Sequence, residues 1–442
     1  MMLRFAIVLL AAGGACAQDA ARMEEVIQSY TPDHRFMGSV LVARGSQVLL
    51  NKAYGSANLE WDVPNSPSTK FRLGSVTKQF TAASILLLQE RGKLKIEDPV
   101  KKYMADAPAA WDQVTIYHLL THTSGIPSFT SFPDYRKWEP FAATPAEEVA
   151  RFRDKPLEFT PGEKWNYSNS GYVLLGFLIE KVAGVTYEKF VRDNIFAPVD
   201  MRDSGYDSNS AIIARRASGY TPDKDGLANT GFIHMSIPFS AGSLYSTTGD
   251  LLKWEQGLFG GKVLSPASLE IMTRPYKNNY ACGLFVETKN GHKKIEHGGG
   301  IEGFNTELAY YPDDKLTVIV LANVNGSAPG DIAGKLAALV HGETVKLPTE
   351  RKEVVVDSKV LAGYVGTYDM DGAKMRITLD GSQLSAKLGD QPVFPIFPES
   401  ESAFFLKVVD AQIEFQKDAA GAVTGLLLHQ GGRDVKARRV SE

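Results

Sequence analysis

The chain has 442 residues, 44% of them hydrophobic and 22% charged, with a formal net charge of -3. This composition excludes disorder and collagen, and since a single core usually divides beyond roughly 250 to 300 residues, about two domains are expected. A near-neutral balance offers no field for a polyanion, so no nucleic-acid partner is expected.

Residues 1–17 combine Arg4, an apolar run over 5–12 and the small-residue pattern Ala15-Cys16-Ala17. That is the pattern of a secretory signal peptide, so the protein is expected to be secreted or periplasmic. The run is well short of the roughly 20 residues a membrane-spanning helix needs, and no span is expected once the signal is removed. Lipid anchoring at Cys16 is disfavoured, because Gly13-Gly14-Ala15 lacks the bulky apolar residue expected three positions ahead of a lipoprotein cysteine. Only Cys282 would then remain, and a single thiol forms no internal disulfide.

From 18 to about 345 helical patterns alternate with short apolar strands such as Gly38-Ser39-Val40-Leu41-Val42-Ala43 and Leu316-Thr317-Val318-Ile319-Val320-Leu321, predicting a mixed α/β (α+β) domain over 18–346. A polar stretch over 347–353 reads as a linker. Beyond it the period changes to two, with Met375, Ile377 and Leu379, then Leu384, Ala386 and Leu388, alternating with polar residues. Turn signals at Asp380-Gly381, Gly389-Asp390 and Ala420-Gly421 separate the runs, so 354–442 is expected to be a small all-β barrel. It is expected to fold independently and to restrict substrate size.

Three boxes carry the chemistry. Ser75-Val76-Thr77-Lys78 leads into an apolar helix ending at Gly92, so Ser75 and Lys78 share one face of its first turn. A lysine whose pKa is lowered by burial can accept the serine proton, and free N–H groups at the helix start can hold an oxyanion. A serine there is commonly only a cap, but this S-x-x-K is unique in the chain and its helix is apolar enough to be central. In the second box, Tyr167 and Asn169 stand in a turn before another apolar helix; a phenol beside two ammonium groups can be held near its ionised form and relay protons, while the amide can donate to a substrate carbonyl. Tyr276-Lys277-Asn278 spells the same pattern without turn and helix and is set aside. The third box is His297-Gly298-Gly299-Gly300, where glycines let a strand edge approach a ligand. Gly298 to Gly303 also fits G-x-G-x-x-G, but a strand-like run follows where a helix is required, so nucleotide binding is rejected.

With these boxes in order, 36–325 resembles the serine hydrolases that include class C β-lactamases, D-alanyl-D-alanine carboxypeptidases, D-aminopeptidases and β-lactamase-like esterases. Leu119-Leu120-Thr121-His122-Thr123-Ser124-Gly125 and Pro161-Gly162-Glu163 extend the likeness. The resemblance implies a helical cluster on an antiparallel sheet, with Ser75 as nucleophile, Lys78 as its base, Tyr167 as general acid/base, Asn169 and Gly299 as substrate contacts, His297 as the third-box residue, and the N–H groups of Ser75 and Gly300 as oxyanion hole. The terminal β domain resembles lipocalin-like modules. One departure matters: where β-lactamases carry Lys-Thr-Gly, this chain has His297-Gly298-Gly299, so recognition of a β-lactam carboxylate should be weaker. His297 is otherwise a strand-edge histidine with a satisfied hydrogen bond.

His118 and His122 have i, i+4 spacing, yet no glutamate follows His118 as zinc proteases require, so both are read as helix and turn residues. No G-x-S-x-G elbow is present, and Cys282 reads as a core residue of a buried strand. The expectation is an exported serine hydrolase acting through an acyl-enzyme on small amides or esters, with D-amino-acid peptides ahead of short-chain esters and no metal or organic cofactor. The rival is a penicillin-recognising sensor that acylates without turnover, or a scaffold.

Overall fold

The structure, a computed structural model, describes residues 20–370, 372–430 and 433–440. The expected signal peptide and Cys16 lie outside the described residues. Two compact units form: the described residues of 1–23 with 30–329 make one, and those of 24–29 with 330–442 the other. The division falls inside the helix Ala328–Val340, upstream of the polar stretch at 347–353.

The first unit is built on a six-stranded antiparallel sheet. Its strands are β1 (Gly38–Arg44), β2 (Gln47–Tyr54), β3 (Phe285–Lys289), β4 (His292–Ile301), β5 (Phe304–Tyr311) and β6 (Leu316–Ala322), in the order β3-β4-β5-β6-β1-β2. Central β1 and β6 bury almost every residue, which explains why they read as continuous apolar runs rather than alternating ones. A helix over Thr248–Phe259 packs on both, and Phe259 stacks on Tyr310 of β5 with ring centroids 4.0 Å apart.

Against this sheet stand the helices the boxes predicted. Helix α1 (Thr77–Glu90) is buried from Thr77 through Leu88 on every face, as a helix apolar all round must be. Helix α2 (Asn169–Ala183) starts at the Ser168 cap, which accepts from the Gly171 N–H, and ends at Gly184 with φ of 70°. A short helix, α3 (Phe239–Gly242), packs on both. Gly176 allows this approach: a Cβ there would lie 2.0 Å from Ser240 Oγ.

The second unit holds a closed barrel of eight antiparallel strands between Gly366 and Val440, its first strand pairing with its last. The period-two reading holds, with Met375, Ile377, Leu384 and Ala386 facing inward. Side chains fill the interior, where Tyr364 stacks on Phe415 at 4.0 Å beside Tyr368 and Phe404, as expected for a barrel of this size. Among the described residues no helix is long and apolar enough to cross a membrane.

Candidate active site

Ser75 lies in the 3-10 turn Gly74–Val76 that feeds α1, and Lys78 is the second residue of that helix. Lys78 Nζ lies 3.0 Å from Ser75 Oγ, 2.8 Å from Asn169 Oδ1 and 2.9 Å from the Ala241 carbonyl of α3. The lysine is fully buried, and that burial drives its pKa well below the ordinary value. A charged ammonium costs several kcal/mol to bury without a counter-charge, and none of these partners is a carboxylate. A neutral amine fits instead: its two N–H groups donate to the two carbonyl oxygens, and its lone pair is left facing the Ser75 hydroxyl. Three elements therefore converge on the Lys78 amine.

Asn169 opens α2 and is tied at both ends of its amide. Its Oδ1 accepts from Lys78, its Nδ2 donates to Thr130 Oγ1 at 3.2 Å, and its backbone N–H donates to Ser128 Oγ at 3.1 Å. It borders the cleft but its amide is first of all a partner of the Lys78 amine. Tyr167 lies just ahead, with Lys78 Nζ 4.8 Å from its ring centroid. Burial raises the phenol pKa, which a hydrogen bond with Ser75 only partly offsets. The expected pair of ammonium groups beside it is missing, because burial depresses Lys78 and the third box supplies a depressed histidine. Tyr167 thus keeps its proton, and the ionised form expected from the sequence gives way to a neutral acid.

The third box sits on β4, whose Gly299 pairs with Thr306 and Gly300 with Asn305 of β5. Its glycine content follows from a close approach: a Cβ on Gly299 would lie 2.0 Å from the Leu73 carbonyl, which Thr306 Oγ1 holds by a 2.8 Å bond. Gly300 is brought against Gly74, so both backbones border the cleft next to Ser75. His297 is buried and both ring nitrogens are occupied. Nδ1 donates to the Gly298 carbonyl at 2.6 Å, which leaves Nε2 to accept from the Tyr280 hydroxyl at 3.1 Å. Desolvation above all lowers its pKa, to about 3, and a proton on Lys78 would lower it further still. The box presents no cation to the cleft, and His297 satisfies the structural description as well as the sequence match.

The cleft has a volume of about 350 Å3 and is bordered by Ser75, Asn169 and Gly300 on the reacting side and by Phe129, Tyr135 and Ile233 on the apolar side. Compared with known proteins, residues 23–343 match the family model described as Beta-lactamase. The chain belongs to the beta-lactamase family. Residues 350–439 match a second model, described as a domain of unknown function. Penicillin-binding protein 4* of Bacillus subtilis is 29% identical over 445 residues, covering 94% of this chain and 98% of its own. Among solved structures, an octameric penicillin-binding protein homologue from Pyrococcus abyssi superposes with a TM-score of 0.68 at 28% identity, covering 95% of this chain and 99% of that one. A D-stereospecific amidohydrolase from Streptomyces sp. superposes with a TM-score of 0.60 at 26% identity, covering 72% and 97% respectively.

This beta-lactamase-family site also contains residues that motif spacing did not reveal. Tyr280, Thr130 and the Ala241 carbonyl belong to no functional motif, and only packing brings them in. His122 was assigned to a turn, and it is one: it follows the helix Ile116–Leu120, capped by Thr115 and His118, with φ of 56°. Yet its buried ring lies 4.2 Å from Tyr167 and 4.6 Å from Tyr280 between centroids, and its Nδ1 accepts from the Ser168 N–H. The Leu119-to-Gly125 likeness was the available signal. Cys282 is buried as expected, its thiol pushed up to about 12 by burial, but it lies in a bend before β3 rather than in a strand.

The neutral histidines have a consequence for acid stability. His297 stays unprotonated in the folded chain down to about pH 3, whereas an unfolded imidazole takes its proton near 6.5. Between these values the unfolded state binds more protons, so the contribution is complete above pH 6.5 and is lost as pH falls towards 3. At about 1.4 kcal/mol per unit, lowering the pH from 7 to 4.5 is expected to cost roughly 3 kcal/mol through this one group. Urea unfolding of wild type and His297→Asn at both pH values measures it. An undiminished pH dependence in the variant would show that the histidine does not contribute.

Proposed function

We propose that the chain is an exported serine hydrolase that forms and hydrolyses an acyl-enzyme on Ser75, acting on small amides or esters with D-amino-acid derivatives foremost. The reading is carried by one observation: Nζ of the fully buried Lys78, whose pKa that burial lowers, lies 3.0 Å from Ser75 Oγ. In acylation Ser75 Oγ bonds to the substrate carbonyl carbon as its proton passes to Lys78 Nζ. The carbonyl oxygen becomes an oxyanion held by the N–H groups of Ser75 and Gly300. Collapse breaks the bond to the leaving group, which takes the Tyr167 proton, and Lys78 returns its proton to the phenolate. Water then attacks the ester by the same route and releases the acid.

A third box without a cation favours substrates that need no carboxylate anchor, which ranks amide and ester hydrolysis above β-lactam hydrolysis. The D-stereospecific amidohydrolase among the structural neighbours supports this order. The test is intact-mass spectrometry after a fluorophosphonate, with hydrolysis of p-nitrophenyl butyrate and D-alanine p-nitroanilide in parallel. One adduct mapped to Ser75, absent with turnover in Ser75→Ala, is expected. A Ser75→Ala protein that still hydrolyses either substrate would refute the assignment, and a lasting β-lactam adduct without turnover would make the protein a sensor.

A further inference from the structure

Resting on the serine-hydrolase reading, we infer that Glu302 receives a cationic group of the substrate, and that the acyl donors of this site carry a free α-ammonium and no carboxylate. Among the described residues bordering the cleft, only Arg136 and Glu302 carry a formal charge. They belong to a triad. Arg136 Nη1 lies 2.8 Å from Glu302 Oε1 and 3.0 and 3.1 Å from the two carboxylate oxygens of Glu139. Two carboxylates against one guanidinium leave the triad with a net charge of -1.

The two halves of the triad differ in exposure. The Glu139 and Glu302 side chains are 8% and 15% exposed, whereas Arg136 is 71% exposed. Glu139 is further held by the Tyr135 hydroxyl. The carboxylates are thus fixed parts of the wall, and the guanidinium is a solvated cation able to leave Glu302 while keeping Glu139. The Arg136 half of the pair is solvated, so a substrate ammonium can displace it from Glu302. A substrate carboxylate meets the opposite field, since Arg136 is already neutralised twice and His297 adds no charge.

Position along the chain suits the assignment. Glu302 follows Gly300 by two residues, in the tight turn Glu302-Gly303 that joins β4 to β5, so the two Cα atoms are at most roughly 7 Å apart. With the substrate carbonyl oxygen at the Gly300 N–H, an amino group on the adjacent carbon enters the cleft that Glu302 also borders.

The test compares kcat/KM for D-alanine p-nitroanilide and its N-acetyl derivative in wild type, Glu302→Gln and Arg136→Gln. Wild type is expected to prefer the free amine at least tenfold, and Glu302→Gln to lose that preference through KM. Arg136→Gln, which frees the carboxylate, should lower KM for the amine only, and it keeps the test open if Glu302→Gln fails to fold. Equal use of both substrates by wild type, or a preference unmoved in Glu302→Gln, overturns the inference while leaving the nucleophile assignment intact. Absence of any Ser75 adduct or turnover in wild type overturns both.

Discussion

Replacing Lys78 with methionine is expected to lower kcat/KM by about 10³ to 10⁴-fold, the upper range for losing a general base. Methionine has nearly the same length and fills the same buried space, so the change isolates the lone pair. Stability should move little, because two effects oppose each other. The variant no longer has to strip a proton from lysine on folding, yet it leaves Asn169 Oδ1 and the Ala241 carbonyl without their donor. Thermal unfolding alongside steady-state kinetics separates the outcomes: a rate collapse with Tm nearly unchanged supports the base, and a parallel fall in Tm would mean that lysine is mainly a structural strut. The wild-type pH profile carries the same information. Burial lowers the Lys78 pKa well below its ordinary value of 10.5, so below the depressed pKa the amine holds a proton and the nucleophile is idle. Activity should therefore rise with pH through that value to a plateau. Tyr167 is raised above 10.0, again by burial first, so the plateau should persist into the alkaline range. An alkaline decline below pH 10 would contradict a protonated phenol as the acid.

Tyr167→Phe is expected to cost about 10² to 10³-fold on an anilide and markedly less on an activated ester. The difference follows from the leaving group: p-nitrophenolate departs without help, whereas an anilide nitrogen must be protonated as it leaves. Tyr167 has its proton to give because its phenol is enclosed near the His122 and Tyr280 rings. The ratio of anilide to ester activity in the variant, relative to wild type, is the measurement. An equal loss on both substrates would move Tyr167 from leaving-group acid to a positioning residue for Ser75.

Much of this molecule is legible in its sequence. The S-x-x-K turn and its apolar helix, the turn before α2, and the strand character of 304–311 are local properties, set by side-chain period, caps and glycines. So is the alternation that closes the barrel. Pairings reached through space were not legible. Nothing local in Thr130, Tyr280 or Ala241 marks them as partners of Asn169, His297 and Lys78, because each contact joins segments far apart in the chain.

Sequence alone thus determined which residues could react, since nucleophile and base lie three positions apart on one helical turn. Tertiary structure decided their protonation states. Burial of Lys78 against two carbonyls, of Tyr167 among aromatic rings and of His297 against Tyr280 sets where each proton resides. Desolvation depends on everything packed around a group, and no stretch of sequence contains that information.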